Sequence, residues 1–142
     1  MTVIAYKHGV MAADKMGYYE GPVRKVTKIF KVDGCLLGFA GSAVESNRLL
    51  AWAKDGMKPT KFPVPAGSNV ATMLRVTPEG TIQLFDFCGL PQLIEDDFIA
   101  IGCGGIIAET AMYLGRSAEQ AVLITCERNP FCGLGLDVLH SK

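Results

Sequence analysis

The 142-residue sequence has no excess of either charge: 14 Lys and Arg stand against 14 Asp and Glu. That balance argues against phosphate-driven binding of nucleic acid and against attraction to anionic membranes, so neither partner is expected. The sequence also has no apolar run long enough for a membrane span, and its beginning lacks the charged segment, unbroken apolar stretch and small-residue cleavage site of a secretory leader. The cytoplasm is the expected compartment. Histidine is scarce, with only His8 and His140, and no two cysteines have ligand spacing, so neither a metal centre nor a cofactor is expected. The five cysteines are Cys35, Cys88, Cys103, Cys126 and Cys132; odd in number and set in apolar or glycine-rich text, they suit reduced thiols better than a disulfide framework. Internal repeats and low-complexity segments are absent as well.

What is present is an ordinary globular composition, 49% hydrophobic and 20% charged, over a length that suits one domain spanning 1–142. Val3 to Tyr6 and Val10 to Ala13 read as strands joined by a three-residue loop, Lys7-His8-Gly9. Counting outward from that loop puts Tyr6 against Val10 and, at the far end, Thr2 against Asp14. Lys28 to Val32 and Cys35 to Phe39 form a second hairpin around Asp33-Gly34, which brings Lys28 beside Phe39 and to the same end as Gly41. AVESNRLLAWAKDG, from Ala43 to Gly56, reads as a helix capped by Ser42, and the proline-rich MKPTKFPVPAGS after it as irregular chain. ATMLRV and TIQLFDF flank TPEG as a third hairpin. A strand DFIAI, the tight GCGG, a helix IIAETAMYLG, a second helix AEQAVLITCER with a Ser117–Gln120 capping box, and a strand GLDVLH complete the chain. Hairpins at both ends, with helices between and no βαβ alternation, predict an α+β layered architecture.

One residue combines two chemical groups. If an aminopeptidase removes Met1, Thr2 gains a free α-amine whose ordinary pKa is about 7.7 to 8.0, so a base and a hydroxyl share one residue and no histidine is needed. Met-Thr is also a common chain start, and Asp14, Lys28 and Gly41 each have an ordinary role as strand end, solvated lysine and turn glycine. Together they are more pointed. Asp14 across the hairpin can hold an ammonium, a buried Lys28 can stabilise a threonine alkoxide, and Gly41 at the FAGS corner can offer a backbone N–H to an oxyanion. Two other features are weaker: Cys103 stands at a helix N-terminus where a thiol is acidified, and IGCGG looks superficially like a phosphate cradle but lacks the lysine and the full spacing.

TVIAYKHGVMAAD, KIFKVDGCLLGFAGS, FIAIGCGGIIAETAM and SAEQAV, in that order, resemble the proteasome β-subunits and the related bacterial peptidase of a two-component ATP-dependent protease. The resemblance implies an N-terminal nucleophile hydrolase, a four-layer αββα sandwich of two antiparallel sheets, here reduced in size. It implies Thr2 as nucleophile and base, Asp14 as the acid, Lys28 as the lysine in preference to Lys25, Gly41 as the oxyanion glycine and Phe39 as a lining residue of the first substrate pocket. It also implies peptide or unfolded-protein substrates, homo-oligomeric rings, and room for an ATPase unfoldase as partner. The chain departs from the family where serines and an aspartate commonly support the threonine amine: Cys103, Asn129 and Cys132 stand in those positions, and thiols and an uncharged amide are a weaker support. A silent, ring-forming homologue is the alternative, and a hydrolase of some small amide is a third reading. If Met1 stays, Thr2 has no free amine.

Overall fold

The computed structural model describes residues 1–18 and 20–142. The chain begins with strands β1 (Ile4–Lys7) and β2 (Val10–Asp14), whose turn is one residue shorter than expected: Lys7 pairs with Val10, and His8 and Gly9 form the corner with φ of 49° and 79°. A two-residue turn with both φ positive is the geometry that matches strand twist, and histidine tolerates the left-handed region better than most residues. The register therefore slips by one, with Ile4 opposite Ala13. Val3, not Thr2, comes opposite Asp14, whose N–H donates to the Val3 carbonyl at 3.2 Å. A one-residue slip exchanges the two faces of a strand, so this correction decides which side chains meet.

A short ribbon follows, β3 (Met16–Tyr18) with β4 (Val23–Lys25), where the sequence carried no strand signal. Then β5 (Ile29–Val32) and β6 (Cys35–Gly41) close on Asp33 and Gly34 with φ of 50° and 79°, and Val32 pairs with Cys35 as the sequence predicts. Helix α1 (Ala43–Lys54) starts on Ser42, whose side chain accepts from the Glu45 N–H, and the chain turns away at Gly56 with φ 98°. The proline-rich stretch after it contains one short turn, Pro59–Lys61, and is anchored by Phe62, which packs edge-on against Trp52 with ring centres 5.0 Å apart. Next come β7 (Ala71–Val76), β8 (Ile82–Phe85), β9 (Gln92–Ile94) and β10 (Phe98–Ile101). Helices α2 (Gly105–Tyr113) and α3 (Ala118–Arg128), the latter with the expected Ser117–Gln120 capping box, lead to β11 (Leu136–His140).

The strands form three antiparallel sheets, ordered β10-β1-β2-β11, β3-β4 and β5-β6-β7-β8-β9. Both faces of β1 are covered, which is why its sequence reads as an apolar run rather than an alternation. Val3 and Ala5 pack with Ala12 against Ala108, Met112, Ala121 and Val122 of the α2 and α3 pair. Ile4 and Tyr6, with Met11, pack against Leu36, Leu74, Val76 and Ile82 of the five-stranded sheet. The far face of that sheet, with Leu37, Phe39, Met73 and Phe85, receives Leu49 and Trp52 of α1. The architecture is α+β, with two helices, a sheet, a second sheet and one helix stacked in that order. No helix among the described residues is long and apolar enough to cross a membrane.

Candidate active site

Thr2 enters directly ahead of the buried β1, and the chain's start is held rather than frayed. The IGCGG turn between β10 and α2 wraps it. Gly104 donates its N–H to the Thr2 carbonyl at 3.1 Å, and Gly102, with φ 93°, lies so close that a Cβ there would run into that same oxygen. The glycines of this turn thus grip a backbone, which accounts for the pattern without a phosphate. A Gly102→Ala protein is expected to melt several degrees lower, since both the φ and the space are denied to alanine; thermal unfolding checks it.

Lys28 lies just before β5, beside the GFAG run, and its carbonyl accepts from the Phe39 N–H at 3.0 Å. It is only 7% exposed. Its ammonium donates to Asp14 Oδ1 at 2.8 Å, to Thr2 Oγ1 at 3.2 Å and to the Met1 carbonyl at 2.8 Å. Lys25, the other lysine weighed from the sequence, is exposed on β4. Asp14 is fully buried and its acceptor capacity is well used: Oδ1 also accepts from the Val3 N–H at 3.1 Å, and Oδ2 accepts from the Met16 N–H at 3.2 Å and the Gly133 N–H at 3.0 Å. A carboxylate with four donors, one of them an ammonium, remains tolerable in a dry interior. Lys28 lies between Asp14 and the threonine hydroxyl, so the expected proximity of Thr2 and Asp14 is realised through the lysine rather than across the hairpin.

The N–H of Thr2 donates to Cys103 Sγ at 3.3 Å. Burial pushes the Cys103 thiol up, but the hydrogen bond from Thr2, then the hydrogen bond and charge of the terminal ammonium, and last the contact with Cys132 outweigh it and leave the thiol below its ordinary value. Cys132 moves the other way: burial first, then the charge of Asp14 and the charge of Cys103, push it up to about 12. Asn129 stands at the C-cap of α3, its Oδ1 accepting from the Phe131 N–H at 2.9 Å and its Nδ2 lying 4.0 Å from Cys103 Sγ. Of the three residues in the supporting positions, Cys103 is the one hydrogen-bonded to Thr2 among the described residues.

A cavity of about 300 Å³ opens beside Thr2 and Lys28, lined by Met16, Phe30, Phe39, Gly41 and Leu50 among others. Phe39 is buried and packs edge-on against Phe30 at 5.9 Å, forming an apolar wall. Gly41 has φ 108°, and a Cβ on it would run into the Val70 carbonyl oxygen. A second concavity of about 270 Å³ lies on the other flank of Thr2, between Gly41, Thr72, Gly102 and Cys103. The hydroxyl of residue 2 therefore sits at the meeting point of two openings, with an ammonium against it. The lining by Met16 and Leu50 and the N–H of Gly133 on Asp14 had no signature in the sequence, because they come from segments more than thirty residues apart.

No protein-family model and no curated protein sequence matches the chain. Solved structures do match. Thiobacillus denitrificans BPH in complex with epoxomicin aligns over 99% of this chain and 98% of that one, with a TM-score of 0.68 at 19% sequence identity. A further structure of Thiobacillus denitrificans BPH covers the same shares, with a TM-score of 0.63 at 18% identity. The chain shares the fold of these proteins.

Proposed function

We propose that this chain is an N-terminal nucleophile hydrolase, a threonine-type peptidase in which Thr2, freed by removal of Met1, attacks peptide bonds. The observation that carries the reading is the contact of the Lys28 ammonium with Thr2 Oγ1 on one side and the buried Asp14 on the other, at the mouth of a cavity walled on one side by Phe30 and Phe39. The shared fold supports it: its relative with this architecture is complexed with epoxomicin, a proteasome inhibitor.

In this reading the substrate carbonyl lies over Thr2 with the preceding side chain in the cavity walled by Phe39. The freed amine takes the hydroxyl proton, directly or through a water, and Lys28 at 3.2 Å stabilises the alkoxide as it forms. The Gly41 N–H receives the tetrahedral oxygen. Collapse leaves an ester on Thr2; the ammonium returns its proton to the leaving amine, and water then hydrolyses the ester. Cys103 accepts from the Thr2 nitrogen and steers it. Asp14 holds the lysine in place. We further propose that copies of the chain assemble into rings that enclose the threonines and admit unfolded protein, with an ATPase unfoldase as partner, because an unenclosed general peptidase would damage its host.

Intact-mass analysis of protein from its native host, before and after epoxomicin or a β-lactone, tests the reading. The expected result is loss of Met1 and one adduct on Thr2. Protein that keeps Met1 and stays unmodified sinks the enzyme reading and leaves the silent ring-forming homologue.

A further inference from the structure

The proposed mechanism uses Cys103 as a hydrogen-bond acceptor and leaves Cys132 without a task. Yet the two thiols are neighbours, and each bears on the acidity of the other. Cys132 lies in the loop after α3, and its sulfur packs against Gly104, the residue following Cys103: a Cβ on Gly104 would come within 3.2 Å of it. The loop and the turn they occupy are the two supports of the site. Gly104 donates to the Thr2 carbonyl, and Gly133, next to Cys132, donates to Asp14. The pair is also unequal. Cys103 is exposed and opens on the 270 Å³ concavity beside Thr2, whereas Cys132 is 3% exposed. An exposed, acidified thiol backed by a buried one is the arrangement of an attacking and a resolving cysteine.

We propose that Cys103 and Cys132 are a thiol–disulfide switch on Thr2, a regulation that rests on the peptidase reading above. The oxidant is a low-molecular-weight disulfide. The Cys103 thiolate attacks one of its sulfurs and expels the other as a thiolate, leaving a mixed disulfide on Cys103. Cys132 then gives its proton to the expelled thiolate and attacks the Cys103 sulfur, forming the bridge and releasing the second thiolate, which takes a proton from water. Two electrons pass from the cysteine pair to the small disulfide, which leaves as two thiols. Capping Cys103 removes its negative charge, one of the groups that hold Cys132 protonated, so the first step eases the second. In the bridge the Cys103 sulfur is tied toward Cys132 and no longer steers the Thr2 nitrogen. Reduction restores it.

The test takes Met1-free protein, reduced and then equilibrated with mixtures of oxidised and reduced glutathione, in a Cys88→Ser background that removes another exposed thiol. Intact mass and peptide mapping read the bridge, and the rate of Thr2 acylation by a β-lactone reads its consequence. The expected result is loss of two hydrogens, a peptide joining residues 103 and 132, acylation slowed at least tenfold, and recovery with dithiothreitol. Cys132→Ser is expected to stop instead at a single glutathione on Cys103. A parent protein that itself stops at the glutathione adduct, or a bridge that leaves the acylation rate unchanged, overturns the switch. Reduced, Met1-free protein whose Thr2 is never acylated fails the peptidase reading and the switch with it, while protein that is acylated but forms no bridge fails the switch alone.

Discussion

Thr2→Ala, prepared free of Met1, is expected to take up no epoxomicin and to hydrolyse peptides at least about a thousandfold more slowly than the parent chain. The substitution removes one hydroxyl and leaves the rest of the constellation standing. Lys28 keeps its 2.8 Å bond to Asp14, and residue 2 keeps its carbonyl on the Gly104 N–H. Folding should therefore change little, with a melting temperature within a few degrees of the parent. The result also separates Thr2 from its rival. Cys103 is exposed, acidified and 3.3 Å from the Thr2 nitrogen, so it could act as a nucleophile in its own right. Undiminished hydrolysis by Thr2→Ala would transfer that role to the thiol, and a Thr2→Ser protein that keeps measurable activity would argue for the hydroxyl.

Lys28→Ala is expected to slow acylation of Thr2 by about a hundred- to a thousandfold, the scale seen when one preorganised donor to a developing oxyanion is lost. It should also destabilise the protein by about 3 to 5 kcal/mol, because it leaves Asp14 buried without its counter-charge. The two effects have one origin, so they are measured separately: acylation rates well below the melting temperature for the first, and thermal unfolding for the second. Asp14→Ala should be worse for the fold than Lys28→Ala. Besides releasing the lysine, it strips the N–H groups of Val3, Met16 and Gly133 of their acceptor, and buried unpaired donors each carry a desolvation cost. A lysine variant that unfolds first but leaves acylation unchanged would make Lys28 a structural residue only.

Most elements were legible in the sequence because their signals are local. Asp-Gly between two apolar runs makes the β5–β6 hairpin, Ser42 and Ser117 cap helices through their own side chains, and Gly56 and Gly115 follow the ends of α1 and α2. What local reading missed is equally instructive. The first hairpin could close in two residues or three, and His8 decided it by accepting a positive φ, which moved Asp14 from Thr2 to Val3. The β3–β4 ribbon and β9 are three-residue strands, too short to show a period.

The sequence by itself determined the chemistry available near its start: a hydroxyl three bonds away from a prospective amine, an aspartate at the end of the second strand, and a lysine placed by an Asp-Gly turn beside the GFAG corner. Only the tertiary structure decided how they meet. Lys28 stands between Asp14 and Thr2, the IGCGG turn uses its N–H and its missing side chains to grip residue 2, and Cys103 and Cys132 arrive together from either end of the α2–α3 pair. These contacts join segments from more than ten to more than a hundred residues apart. No periodicity or spacing encodes them; they follow from packing two sheets and two helices around the buried first strand.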